Sequence, residues 1–556
     1  MLRQFNIMSC LFLCCQHTVC SHHCDNIHYM KKIFIYVLAG MTLLPMATGC
    51  NSLDLESEST ITDPNYWKSD THFSAFNVGL HAQLRERTYN LFILGEPRAD
   101  IYGDDPFGGE ATQGMERFPY NSLNAENVGL SNFADLYGVI NQINLMIAKT
   151  TETQLLPEVS KNYYLGEAYG MRAFLYFHLL RSWGDVILHL DYTSGSTIDL
   201  ANILKPASPA SAVMEQIKND ISASEAAFGN DYSYKYGKHY WSLGATKMLK
   251  GEVYLWSGKQ MDGGATDYNM AKSALQEVKN CPGIGLESNF TDVFAYNNKK
   301  NEEIIFTIHN GQDEYDMWKD SYRMTLVPQQ AYMTSGIYFN EDGVSYADTK
   351  DAEMNGLIRL QIKKDFYNKV FLKGDTRKAG SIKAVYQKDA DGNLVYVAPI
   401  PYKFQGTMIA GSSTRSWLDD YPIYRYADCL LLLAEAKALL GEDIAAEINA
   451  VRERAYGKEY FEANKATVAY PNDKGDFYTN NPFVAGDENP VEAVLKERLR
   501  ELMYEGKRWY DIRTLGYTEK YSTANSSRLL WPIDANTLTN NKELKQTPGY
   551  TTDNKE

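Results

Sequence analysis

Catalytic signatures are scarce in this 556-residue chain. It holds no G-x-S-x-G elbow, no G-x-x-x-x-G-K-[ST] phosphate loop and no G-x-G-x-x-G, which removes the usual serine-hydrolase, nucleotide and dinucleotide signatures. Beyond residue 50 only two cysteines remain, Cys281 and Cys429, and nothing in their spacing supports a bridge. The six histidines of that region, His72, His81, His178, His189, His239 and His309, never recur at the three- or four-residue interval of a helical metal pair. Positive charge is also short, with 55 Lys and Arg against 70 Asp and Glu and a net charge of −15. That balance argues against nucleic acid as a partner, because such binding rests on basic clusters that neutralise phosphate. A membrane-spanning run is missing as well. The longest apolar stretch, Ile33 to Met46, falls short of the roughly 20 residues a helix needs to cross a bilayer.

What that stretch does carry is an export signal. Met30, Lys31 and Lys32 precede it, and Ala47, Thr48 and Gly49 supply the small residues required beside a signal-peptidase cut, directly before Cys50. The pattern predicts a lipoprotein whose Cys50 thiol becomes the lipid attachment point, with Ala47 standing where such signals usually carry Leu. Upstream, residues 1–29 combine five cysteines with four histidines, a density that suggests a metal tract. A normal leader begins at Met30, however, so this stretch reads as an over-extended start. Residues 30–49 are then the leader and 50–64 an acidic tether.

Aromatic residues are plentiful, with 40 Tyr, 22 Phe and 8 Trp. Tyrosine offers a flat apolar face with a hydroxyl at low entropic cost, which suits sugar or peptide surfaces, although most of these rings must fill a core. Helical periodicity recurs over Phe73 to Arg87, Leu130 to Thr150, Tyr163 to Trp183, Ala210 to Phe228, Tyr240 to Trp256 and Tyr268 to Lys279. Two pairs carry tetratricopeptide spacing, in which small residues let antiparallel helices approach. Gly251, Tyr254 and Gly258 face Tyr268, Ala271 and Leu275 across an insertion at Gln260 to Thr266; Ala434, Lys437, Gly441 and Ala446 form the second set. The predicted fold is mainly α: a tetratricopeptide-like superhelix of helical hairpins over 65–280 and 426–556, with a loop-rich lobe over 281–425. In that lobe Ile304 to Ile308 reads as a short strand, and Ile382 to Lys388 with Asn393 to Ile400 reads as a hairpin around Asp389–Gly392. Asp389, Asp391 and Gly392 resemble part of a calcium loop, but the closing Glu is missing. Near the C-terminus, Val491 to Tyr504 is an amphipathic helix with Asn489 as cap, Pro490 at its first position and Glu492 completing a capping box. After it, Arg508, Asp511 and Arg513 are expected to tie a short turn to the scaffold by ion pairs.

Loops on a rigid frame are where ligand contacts tend to sit. The segment Glu96 to Phe107 offers Arg98 and Asp100 for hydroxyl or carboxylate recognition beside the rings of Tyr102 and Phe107; the competing reading is a structural loop with an internal Arg98 to Asp100 contact. A second aromatic loop supplies Tyr315, Trp318, Tyr322 and Tyr338.

Taken in order, several motifs resemble the SusD/RagB family of outer-membrane lipoproteins from Bacteroidetes. They are Thr62-Asp63-Pro64-Asn65-Tyr66-Trp67, Gly166-Glu167-Ala168 with Arg172-Ala173-Phe174 and Gly184-Asp185, Asn301 to Phe306, Pro422 to Asp428, and Ala434-Glu435-Ala436. The most specific is the run from Glu497 to Arg513, followed by Leu530-Trp531-Pro532-Ile533 and Thr547-Pro548-Gly549-Tyr550. The resemblance implies a non-catalytic nutrient-binding lipoprotein on the outer face of the outer membrane. It would need no cofactor, and would capture oligosaccharide or peptide and pass it to a SusC-like TonB-dependent channel. It also implies that Arg172, Arg425 and Arg508 are structural. The alternative class is a lipid-anchored glycan-cleaving enzyme on the same scaffold, since a carboxylate pair for glycoside hydrolysis meets in space and not in sequence.

Overall fold

Small residues at helix crossings set the architecture of the computed structural model. It describes residues 66–103, 114–129, 133–193, 204–312, 314 and 322–550. All of these belong to the compact unit Asp63–Glu556. The leader and Cys50 lie outside the described residues. The helices of seven residues or more are α1 (Asp70–Glu86), α2 (Thr88–Gly95), α3 (Phe133–Glu152), α4 (Glu158–Trp183), α5 (Ala210–Phe228), α6 (Leu243–Gln260), α7 (Gly264–Lys279), α8 (Tyr426–Leu439), α9 (Ala445–Tyr456), α10 (Pro490–Leu502) and α11 (Arg508–Thr514). From α3 onward each packs on the next up to α7; α8 then packs on α7 and on α9, although about 150 residues separate it from α7. The expected mainly α superhelix is what is observed. Its spacing logic is visible atom by atom: a Cβ on Gly251 would stand 2.6 Å from Leu275, and one on Gly258 2.5 Å from Tyr268. Ala434 is buried against Ile448 and Val451 in the second hairpin.

Among the described residues the strands pair two by two, all antiparallel: β1 (Tyr102–Gly103) with β3 (Gln361–Ile362), β2 (Ile304–Ile308) with β8 (Tyr421–Arg425), β4 (Ile382–Lys388) with β5 (Leu394–Pro401), and β6 (Thr407–Met408) with β7 (Arg415–Ser416). The β4–β5 turn is a hairpin turn: Asp389 accepts from the backbone N–H groups of Asp391 and Asn393, both at 2.9 Å, and Gly392 takes φ +85°. Cys281 and Cys429 are free and buried.

Helix α10 departs from its sequence pattern. The apolar stripe Val494, Leu495, Leu499 and Leu502 is buried, but so are Lys496, Glu497, Arg498, Arg500 and Glu501 on the other sides. These charges face partners rather than water. Arg425 reaches Glu303 and Glu501 at 2.6 Å and Glu505 at 2.8 Å, while Arg377 meets Glu497 at 2.7 Å and Glu501 at 3.2 Å. Arg452 joins Glu497 at 2.9 Å to Asp487 at 2.8 Å, and Arg498 bridges Asp428 and Asp511 at 2.8 Å. Asn489 caps the helix as expected, accepting from Val491 N at 2.9 Å. Glu492 does not reach back to complete the box; its carboxylate holds Lys520 and Tyr521 instead.

This network makes stability depend on pH. Burial alone would raise Glu497, but the charges of Arg377, Arg452 and Arg500 outweigh it and bring the carboxyl down to about 2 from an ordinary 4.5. Glu501 is lowered in the same way by Arg454, Arg425 and Arg377. Below the ordinary carboxylate value the unfolded chain takes up protons first, so this contribution is complete above about pH 4.5 and drains away toward about pH 2. Asp419 and Glu435 act in the opposite sense. Burial raises them to about 7 and about 8, so their contribution is present at low pH and is lost as pH rises through those values. A melting temperature highest near about pH 5, falling gently toward about pH 8 and steeply below about pH 4, is the expected profile in a thermal-scan series; a flat profile down to about pH 3 would contradict it.

Candidate functional site

Arg98, the residue singled out in the first loop, turns inward. Its guanidinium is fully buried, stands over the rings of Trp509 (4.5 Å) and Trp531 (5.2 Å), and donates to the carbonyls of Arg528 (2.5 Å), Leu529 (3.1 Å) and Leu530 (3.0 Å) and to Asn121 Oδ1 (2.7 Å). It clamps the closing segment of the chain to the frame. The internal Arg98 to Asp100 contact is not formed: Asp100 is gripped by Arg508 through Nε at 3.0 Å and Nη2 at 2.6 Å. Pairing across 408 residues wins because a fork-shaped guanidinium satisfies both carboxylate oxygens at once. Tyr102 is buried and donates to Glu96 at 3.3 Å. Tyr322 is buried against Phe92, ring centres 4.4 Å apart, and Tyr338 is buried beside Tyr332. Phe107, Tyr315 and Trp318 lie outside the described residues.

The loop nevertheless builds one wall of a cleft of about 490 Å³. Ala99, Asp100, Tyr102 and Gly103 form that wall; Pro119 and Tyr120, Lys363 to Asp365, Pro482 and Phe483, and Lys520 to Thr523 form the rest. Hydrogen bonds tie the walls together. Lys363 N donates to Ile101 O at 2.9 Å, Ser522 Oγ to Arg98 O at 3.1 Å, and Thr523 Oγ1 to Pro119 O at 2.7 Å. A cleft so braced is already shaped before anything enters it. Within it Tyr120 is half exposed, at 50%, whereas Phe483 and Tyr521 are buried into the walls. Lys363 is half-buried, and burial holds its amine below the usual lysine value while Asp100 draws it back up. Lys364 is exposed, and Lys520 is engaged by Glu492. The arrangement supplies hydrogen-bond donors beside a ring, a geometry that grips polyhydroxylated or amide-bearing molecules. Of these lining residues only Asp100 and Tyr102 stand out in the sequence; Tyr120, Lys363, Lys364 and Lys520 come from three separate segments and share no local pattern.

A second cavity, of about 450 Å³, lies beside β4. Its polar groups are largely committed to one another: Lys383 pairs with Asp351, Tyr402 donates to Asp351 at 3.0 Å, and Tyr367 donates to Glu341 at 3.1 Å. The cleft at Tyr120 is therefore the stronger candidate.

The whole frame recurs in known proteins. The sequence profile of the SusD family matches residues 302–524. The solved structure of NanU from B. fragilis is 65% identical and superposes with a TM-score of 0.86, covering 90% of this chain and 100% of its own. A SusD superfamily protein from Bacteroides vulgatus is 63% identical, with a TM-score of 0.84 over 87% of this chain and 100% of its own. The chain belongs to the SusD family. More distant members keep the fold: a laminarin-binding SusD-like protein superposes with a TM-score of 0.63 at 21% identity, over 87% of this chain and 100% of its own. Among the described residues no helix is long and apolar enough to cross a membrane.

Proposed function

We propose that this SusD-family chain is a non-catalytic cell-surface lipoprotein, anchored at Cys50, that captures oligosaccharide or peptide in the cleft beside Tyr120 and passes it to a SusC-like TonB-dependent outer-membrane channel. The observation that carries the reading is a braced, preformed cleft lined by a half-exposed tyrosine, on the fold that a laminarin-binding relative also uses. A carrier must release what it captures, so micromolar binding, about −8 kcal/mol, suits it better than tight retention. One stacked ring with a few donors is in keeping with that range. The chemistry of the cleft also favours holding over cutting. Hydrolysis of a glycosidic bond calls for one carboxylic acid and one free carboxylate, whereas both carboxylates of the cleft are paired, Asp100 by both arms of Arg508 and Asp365 by Lys369 at 2.8 Å.

Calorimetry of the purified protein against a panel of oligosaccharides and peptides tests this. Binding without turnover products is expected, with Tyr120→Ala weakening it by roughly 1 to 3 kcal/mol, the cost of losing a stacking platform. Release of cleaved products would overturn the carrier reading, and unchanged affinity in Tyr120→Ala would move the ligand out of this cleft.

A further inference from the structure

Helices α1 and α4 run side by side in the same direction, and their register places an exposed apolar corner beside the start of the described chain. Asn77 donates to Glu167 at 2.6 Å, and three residues earlier on both helices Tyr164 lies against Ser74, so each pair is 90 residues apart. With each residue rising about 1.5 Å along a helix, Val159 stands level with Ser69, the N-cap of α1. Here the chain turns from α3 into α4. Val159 is 77% exposed and Leu155 54%, with Pro157 exposed between them, while Leu156 is buried in the core. Single exposed aliphatics are ordinary on a protein surface; three within five residues make a patch. Tyr66 and Trp67 lie half-buried at the same end, Tyr66 stacked on His72 with ring centres 5.0 Å apart and Trp67 against Phe76 at 4.8 Å. Charge at this corner nearly cancels. Lys68 and Lys161, the latter reaching Thr153 O at 3.4 Å, stand among the exposed Asp70, Glu152 and Glu158.

We propose that this corner, Leu155 to Val159 with Tyr66 and Trp67, is a membrane-contact surface that settles into the headgroup boundary of the phospholipid layer holding the Cys50 lipid. The occupant follows from where the chain leads. Tyr66 comes 16 residues after Cys50, and a stretch of that length spans at most about 55 Å. An acyl anchor at Cys50 therefore keeps this end within reach of the bilayer. The residue types suit the depth each would occupy: aliphatic side chains enter the acyl boundary, Tyr and Trp favour the headgroup level, and lysine stems carry their amines out to the phosphates. Near-neutral charge fits a zwitterionic lipid surface better than a charged polymer. A second contact beside the tether would restrict how the body swings about its anchor. The inference rests on the lipoprotein reading of Cys50 and is independent of the Tyr120 cleft.

The test uses the mature acylated protein in phosphatidylcholine vesicles that contain brominated acyl chains. An environment-sensitive dye is attached through Leu155→Cys or Val159→Cys and, as a remote control, through Ile337→Cys, which is also an exposed position at 53%. Cys281 and Cys429 are buried and stay unlabelled. Dye at 155 and 159 is expected to shift its emission to the blue and to lose most of it to the brominated lipid, while dye at 337 does neither. Vesicle retention of the unsubstituted protein is read separately. Retention with equal, weak quenching at all three positions would overturn the contact surface and leave the anchor standing; loss of retention would overturn the anchor and this surface with it.

Discussion

Arg425→Ala is expected to leave little or no folded protein. The guanidinium is buried at the end of β8 and meets Glu303, Glu501 and Glu505 together, with a further bond to Glu501 O at 2.7 Å. Removing one partner from a buried ion pair costs about 3–5 kcal/mol, because the charge left behind has neither water nor counter-ion. Here three carboxylates lose a partner at one point, and Arg454 and Lys403 compensate for only part of the excess. Set against a total stability of about 5–15 kcal/mol for a folded domain, such a loss is decisive. Arg425→Lys keeps the charge without the fork, and it should fall between wild type and alanine. Soluble yield and denaturant titration measure both; a stable, cooperatively folding Arg425→Ala protein would show that the network contributes far less than its geometry implies.

The same network marks the limit of what the sequence discloses. Helices α3 to α7 announce themselves through apolar residues every three or four positions, and the Gly251–Leu275 approach follows from the tetratricopeptide spacing, because these are local patterns. The charged side of α10 reads as a solvated face for the same reason: nothing near Lys496 or Arg500 in the chain reveals that Asp473 and Asp487 come to meet them. Arg98 and Asp100 look like partners at a spacing of two, yet each finds a better one more than 400 residues away. The cleft is hidden likewise. Its ring and its amines are brought together by the pairing of β1 with β3 and by Ser522 and Thr523 folding back on Arg98 and Pro119, and no periodicity encodes those contacts.

Gly95→Ala is the second change expected to have a large effect, and it bears on the cleft directly. Gly95 ends α2 against the turn that precedes α11, and a methyl there would overlap Gly506 O and lie 2.9 Å from the Tyr510 ring. The obstacle is backbone. Gly506 sits at φ +72°, a conformation other residues resist, so the turn cannot easily yield. Movement of α2 is no easier, because the neighbouring Glu96 carboxylate accepts from the N–H groups of Tyr504 (2.9 Å) and Lys507 (3.1 Å). Overpacking of this kind costs typically ~1–3 kcal/mol, and a buried donor left unpaired adds about 1–3 more. Gly79→Ala provides the contrast: no atom lies within 4 Å of its added methyl, so the gain in helix propensity, about 0.5–1 kcal/mol, should stabilise. Denaturant midpoints of the two variants should therefore move in opposite directions. Any Gly95→Ala protein that still folds carries its displacement into Glu96 and onward to Asp100, whose carboxylate is fixed by Arg508 at the start of α11. The cleft wall from Ala99 to Gly103 then shifts, and ligand affinity should fall even though no cleft residue has been replaced.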